Sequence, residues 1–359
     1  MNKKCLLSIA VPMYNMEQYI RRCLESIIIL EYSGIYEVLV INDGSTDNSL
    51  KIALEYQEKY PEIFKVIDKS NGNWGSCNNL AIKEAKGTYL RVLDADDYFS
   101  IDDTRNFIKC IMNLDEEVDI IQTKCCTVFK DQTSPVFNDF KNIEYNHIYN
   151  VEQLIFGFPH LLYAHHTATL NIKLLKKNHI ILQEKMSYTD LELYTYSLTF
   201  AQKVVFFDLV LYRYFVGREG QSVSIESYRK NIAQIERLFK RMLECRETYI
   251  APSKTNKILS QANYLSNILS VYCYLNLLDK TDKTNEQFKT FVYIWNELKL
   301  KFPELINTSS KIKKNGCKVI SLWNKYHITC NQGIGVIIFM LTSIIYKIYM
   351  HLLKPVFNK

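Results

Sequence analysis

The chain has 359 residues, of which 48% are hydrophobic and 23% charged, enough apolar material for one large domain with an appendage or for two domains, and too much for wholesale disorder. Its formal charge of +6 is uneven: residues 1–225 carry 23 Lys and Arg against 29 Asp and Glu, and residues 226–359 carry 21 against 9. The basic part therefore suits an anionic partner such as lipid headgroups, and without a nucleic-acid reader motif no nucleic-acid partner is expected.

Leu6 to Val11 is a short apolar run stopped by Pro12 and reads as a buried strand; it is too short for the core of a signal peptide. From Glu17 to Leu30, apolar residues recur at helical spacing and predict an amphipathic helix. Tyr36 to Ile41 is a second strand, and NDGSTDNS follows as a turn in which Asp47 suits the N-cap of a helix from Asn48 to Tyr60, closed by Pro61. Ile63 to Ile67 is a third strand, a helix runs from about Asn78 to Lys86, and Thr88 to Leu93 is a fourth strand. Four alternations of strand and helix predict a parallel, doubly wound sheet, whose ligands gather at the carboxyl ends of the strands. Pro12, Asp43 and Asp94 all fall at such ends.

Beyond Ser100 the pattern loosens into a helix, IDDTRNFIKCIMNL, and a strand near Asp119 to Phe129. From Ile225 to about Leu305 it is long and helical. Lys311 to Lys318 is a basic connector, and Ile334 to Leu353 is strongly apolar but interrupted by Lys347. That tail is expected to lie as an interfacial helix on an anionic membrane surface, to span it if Lys347 snorkels, or to pack as a final helix on the protein or on a second copy. Ten cysteines, with no CxxC pair and no Cys/His ligand pattern, read as reduced thiols of a cytoplasmic protein and not as a zinc site or disulfide frame.

The stretch from Val92 to Asp97, VLDADD, runs a strand into three carboxylates within four positions. Like charges so close repel, and burial penalises each of them unless a cation or donor answers it. Two carboxylates one residue apart at a sheet mouth can share a hard divalent cation, Mn²⁺ or Mg²⁺, whose other ligands are phosphate oxygens. Taken alone, DADD equally suits a solvated helix start.

Context adds to it. VPMYN after the first strand, NDGSTD after the second, GNWGSCNN before the third helix, LDADD after the fourth strand, SYTDLELY and LYRYFVGREGQSVS together resemble family 2 glycosyltransferases of the bacterial cell-surface polysaccharide type. The resemblance implies an α/β fold of the GT-A kind, a Rossmann-like mixed sheet with mainly parallel N-terminal strands followed by a helical C-terminal subdomain. It implies a GT-A domain over residues 1–224, with a donor half up to about residue 100 and an acceptor half after it; the helical pattern then covers 225–318 and the tail 319–359. The implied reaction is inverting, metal-dependent transfer from a UDP-sugar to a glycan, lipid-linked saccharide or teichoic-type acceptor at the inner face of a cell membrane. A non-catalytic sugar-nucleotide or glycan-binding module on the same fold is the alternative; a nicotinamide enzyme is not, because VPMYN lacks a GxGxxG turn.

Residue by residue, the resemblance implies that Pro12 and Tyr14 line the base pocket with Asn15 beside them, and that Asp43 accepts from uracil or ribose. Asn71 and Asn79 belong to the glycine-bearing donor segment, where Asn78 stands in place of an arginine; Arg213 and Arg218, with Gln221 and Ser222, are the replacement contacts to diphosphate. Asp94 holds sugar hydroxyls and, with Asp96, forms the metal pair, while Asp97 orients its neighbours. Asp190 is the general base, with Glu192 in reserve, and His166 is a further candidate facing acceptor or metal.

Overall fold

The computed structural model describes residues 4–129, 132–133, 140, 143–151, 166–218, 225–248, 253 and 256. The four expected strands form β1 (Leu7–Met13), β2 (Tyr36–Asn42), β3 (Phe64–Asp68) and β4 (Tyr89–Val92). They are hydrogen-bonded in the order β3-β2-β1-β4, all parallel. The sheet continues through β9 (Ala168–Asn171), β6 (Ile120–Phe129) and β10 (Lys203–Phe215) to β5 (Tyr98–Phe99), with β7 (Gln132–Thr133) on β6 and β8 (Ile148–Asn150) on β10. It is therefore the mixed α/β sheet with parallel N-terminal strands that the sequence implied.

The directions decide what meets where. Because β9 runs antiparallel to both β4 and β6, and β10 runs parallel to β6, the carboxyl ends of β1, β2, β4, β6 and β10 share one edge. The amino end of β9 lies at that same edge. His166, just before β9, thus arrives beside the ends of β4 and β10.

Helices α2 (Ser49–Lys59) and α4 (Ile101–Met112) form where the sequence predicts them, burying Ile52, Ala53 and Tyr56 in one and Thr104, Phe107, Ile108 and Ile111 in the other. In α2 the N-cap position is Asn48, whose side chain donates to Glu17 and makes no capping bond, while Asp47 Oδ1 accepts from the Ser49 N–H at 2.9 Å. The helix expected over Glu17–Leu30 is only α1 (Ile20–Glu25). Its continuation is taken over by other partners: the Ser26 hydroxyl donates to Cys23 O and accepts from Phe99 N–H, and the Tyr36 hydroxyl accepts from Ile29 N–H and donates to Ile27 O. Backbone groups satisfied in this way gain nothing further from a helix.

Helix α3 (Asn73–Glu84) begins five residues before the expected Asn78. Gly72 at its N-cap has no side chain to offer, and the cap comes from Asp43, whose two carboxylate oxygens accept from Gly72 N–H at 2.9 Å and Asn73 N–H at 2.8 Å. On α3, a Cβ at Gly75 would stand 2.1 Å from Gln183 O and 3.0 Å from Thr189 Oγ1. Gly75→Ala is therefore expected to push the 183–189 segment off the helix and to lower stability by about 1–3 kcal/mol, read as a lower urea midpoint; an unchanged midpoint would show that the segment is not held by this contact.

Helices α5 (Ile172–Lys177) and α6 (Asp190–Phe200) complete the sheet-bearing unit, and α7 (Ile225–Lys230) and α8 (Ile232–Thr248) belong to a second one. The chain divides into residues 1–219 with 249–257, and residues 220–248 with 258–359. Among the described residues no helix is long and apolar enough to cross a membrane. The basic connector and apolar tail singled out above lie outside the described residues, as does the rest of the helical stretch beyond α8.

Candidate active site

The turns after β1 and β2 are knitted together. Asn15, with φ +52°, accepts from Thr46 N–H at 2.8 Å through its side chain, and its own N–H donates to Ser45 Oγ at 3.0 Å. Pro12 lies inside β1, opposite Ile41, and the Tyr14 ring beyond it is 47% exposed. Asp43 is 2% exposed. Besides capping α3, its Oδ1 accepts from Lys69 Nζ at 2.6 Å, and Asn71 Nδ2 donates to its carbonyl. Asn79 is spent differently: its side chain accepts from Leu182 N–H and donates to Leu182 O and the Glu184 carboxylate, tethering α3 to the segment that leads to Asp190.

Each carboxylate of the acidic loop has a different answer. Asp94 Oδ1 accepts from the Trp74 indole N–H at 2.9 Å. Asp96 Oδ2 accepts from Arg218 Nε. Asp97 is 1% exposed; its Oδ2 accepts from the Tyr212 hydroxyl at 2.6 Å and its Oδ1 from Phe215 N–H at 2.7 Å, so this one side chain ties the end of β10 to the acidic loop. Burial, reinforced by repulsion from Asp96 and Asp94, holds the Asp97 carboxyl well above the usual carboxylate range. The same causes raise Asp96, with burial first and Asp94 second, against the pull of Arg218.

Two further guanidiniums back this loop. Arg22 of α1 donates to Asp96 O at 2.8 Å and lies between the Tyr98 and Phe215 rings, 4.6 and 4.5 Å from their centroids. Arg91 of β4 is fully buried; it donates to His166 O at 2.6 Å and Thr169 Oγ1 at 3.2 Å, and burial lowers its pKa to about 10. Arg22, Arg91 and Lys69 carried no sequence signal, and Trp74 and Tyr212, though inside GNWGSCNN and LYRYFVGREGQSVS, were given no role, because each acquires its partner only through the fold.

Ligand atoms of Asp94, Asp97 and His166 lie within 4.8 Å of one another, and the imidazole packs against Tyr212 and Tyr214, with centroids 4.9 and 4.5 Å away. Two carboxylates and an imidazole fit a divalent cation of the Mn²⁺ type. The pair implied by sequence was Asp94 with Asp96; the grouping here is Asp94 with Asp97 and His166, with Asp96 turned to Arg218.

Asp190 is the first residue of α6 and is half-buried, behind a segment in which Lys185 and Tyr188 adopt φ of +56° and +64°. Glu192, two residues further and so on the other side of the helix, is wholly buried, and accepts from Gln183 N–H, Gln183 Nε2 and the Tyr196 hydroxyl. Arg213 points to the α4 side, where Nη1 donates to Cys126 Sγ and Nη2 is 3.7 Å from Asp103, so of the two arginines only Arg218 reaches the acidic loop. Gln221 and Ser222 lie outside the described residues.

A family model, Glycosyl transferase family 2, matches residues 8–177. An uncharacterized glycosyltransferase of Mycoplasma pneumoniae is 44% identical over 102 residues, which are 28% of this chain and 34% of that one. The chain thus spans about a third of the length of that relative. Crystal structures of S. aureus TarS 1–349 are similar in fold, with a TM-score of 0.59 at 18% identity, and of 0.55 at 21% identity for the form in complex with UDP, each covering 89% of this chain and 91% of that one. A mannosyltransferase from Pyrobaculum calidifontis, in complex with GDP-Man and Mn²⁺, has a TM-score of 0.50 at 14% identity over 90% of this chain and 88% of its own.

Proposed function

We propose that the chain, which the Glycosyl transferase family 2 model matches over residues 8–177, transfers a sugar from a UDP-sugar to a glycan, lipid-linked saccharide or teichoic-type acceptor, with inversion. The observation that carries this reading is the gathering of the Tyr14 and Asp43 turns, the Asp94–Asp97 loop, His166 and Arg218 at one sheet edge. TarS, a neighbour in fold, was solved with UDP, which supports uridine as the base.

In this reading Tyr14 stacks on the base, and Asp43 orders the Gly72–Asn73 backbone beside it. Asp94, Asp97 and His166 would hold a divalent cation, joined by Asp96 when Arg218 releases it, and the cation supplies Lewis-acid stabilisation of the departing diphosphate. Arg218 contributes fixed positive charge to the same leaving group. Asp190 takes the proton of the acceptor hydroxyl, a poor nucleophile until that proton begins to leave. The basic charge of residues 226–359 supports a reaction at the inner membrane face, where a lipid-linked acceptor is within reach.

The test is release of UDP from a panel of UDP-sugars by the purified full chain, with and without Mn²⁺. Metal-dependent release from one donor, lost in Asp190→Asn, is the expected result and identifies the sugar. Donor binding without turnover across a range of acceptors would favour the non-catalytic module, and no UDP binding with Mn²⁺ present would remove the donor site altogether.

A further inference from the structure

Two arginines, Arg22 and Arg218, meet the acidic loop, and a third, Arg91, lies at the end of β4 behind it; they are used differently. Arg22 donates to the Asp96 carbonyl and Arg91 to the His166 carbonyl and the Thr169 hydroxyl, whereas Arg218 donates directly to a carboxylate, that of Asp96. The side chains of this pair are 19% and 11% exposed, so water screens it little. The contact is also built rather than incidental. Phe215 is fixed by its N–H to Asp97, Gly217 turns the chain at φ +96° with the Phe129 ring 2.6 Å from where a Cβ would stand, and the turn delivers Arg218 back over the loop. Asp94, Asp97 and His166 meanwhile converge without Asp96.

We infer that Arg218 and the divalent cation compete for Asp96, so that the cation site is complete only after Arg218 has been released to an anionic group of the donor. This rests on the proposed donor reading and deepens it by coupling the two ligands. The guanidinium holds the Asp96 carboxylate oxygen that a cation would use, so a cation must displace it. The diphosphate of a nucleotide offers the displaced Arg218 a second anionic partner. The donor thus tightens cation binding both by supplying phosphate oxygens and by removing the competitor, and the coupling is reciprocal. Loading without donor is disfavoured, and the exchange involves no bond making.

The deciding experiment titrates Mn²⁺ alone into the full chain by calorimetry, in the wild type, Arg218→Gln, Arg218→Lys and Asp96→Asn, and repeats each titration with UDP. Arg218→Gln is expected to bind Mn²⁺ without UDP about ten-fold more tightly than wild type, the size of a charge-assisted hydrogen bond released. Arg218→Lys should fall between the two, Asp96→Asn should bind weakly throughout, and the factor by which UDP tightens Mn²⁺ should shrink in Arg218→Gln. Mn²⁺ affinity that is unchanged or weaker in Arg218→Gln overturns the competition, as does Asp96→Asn binding like wild type. Failure of the donor reading looks different: UDP would not bind the wild type at any Mn²⁺ concentration, while the comparison with Mn²⁺ alone would still stand.

Discussion

Asp96→Asn is expected to slow transfer from a UDP-sugar by about 10²–10³-fold, the scale on which one preorganised charge-stabilising group acts in a transition state, while leaving the fold in place. The two effects separate because of where the residue sits. Its carboxyl is already pushed upward by burial and by Asp94, so an uncharged amide of the same shape relieves repulsion within the loop. The amide oxygen can still accept from Arg218, and the backbone carbonyl that Arg22 holds is untouched. The thermal midpoint should therefore stay within a few degrees of wild type, corresponding to less than about 1 kcal/mol. What is lost is the negative charge available to a cation. UDP release and a melting curve on the same sample check both halves. A fully active Asp96→Asn protein would remove this carboxylate from the chemistry, and an unfolded one would show it to be structural.

The parts of this site that could be read from sequence are those that lie at strand ends. A strand that terminates in Asp43 or Asp94 announces its position by local pattern, and the parallel alternation places both at one edge. Contacts between residues far apart in the chain left no such trace. Tyr212 meets Asp97 across 115 positions, and Trp74 reaches Asp94 only once α3 starts at Asn73. That early start was itself illegible, because the cap is Asp43, 29 residues upstream, and Gly72 carries no capping side chain. The overlong reading of α1 has the same origin: the Tyr36 hydroxyl, reaching in from the next strand, takes the backbone groups of Ile27 and Ile29 that a helix would have used. Arg91 was hidden for another reason. In LRVLDADD it alternates like a solvent-facing strand residue, but it is wholly buried, with its guanidinium on Thr169 of the neighbouring strand β9 and on the His166 carbonyl.

The second large effect separates the two carboxylates of TDLE. Asp190→Asn should abolish most transfer, by about 10²–10⁴-fold, as expected for loss of a general base. Its effect on stability should be small, because an acidic side chain in the first turn of α6 contributes only about 0.3–1 kcal/mol through the helix dipole. Glu192 is the reverse case. Its carboxylate is the acceptor for Gln183 N–H, Gln183 Nε2 and the Tyr196 hydroxyl, all in a site closed to water. Glu192→Ala leaves those donors without an acceptor and opens a cavity, a loss of about 3 kcal/mol or more. Activity should fall with it, since Gln183 is the residue against Gly75 that leads the chain into Asp190. Glu192→Gln retains one acceptor oxygen and should recover part of both losses, whereas no conservative change should restore turnover at Asp190. Urea midpoints and UDP release for the three variants decide it: a stable, inactive Glu192→Gln beside an active Asp190→Asn would transfer the base to Glu192. The geometry argues against that outcome, because a carboxylate already accepting from three protein donors and sealed from solvent has no path to an acceptor hydroxyl.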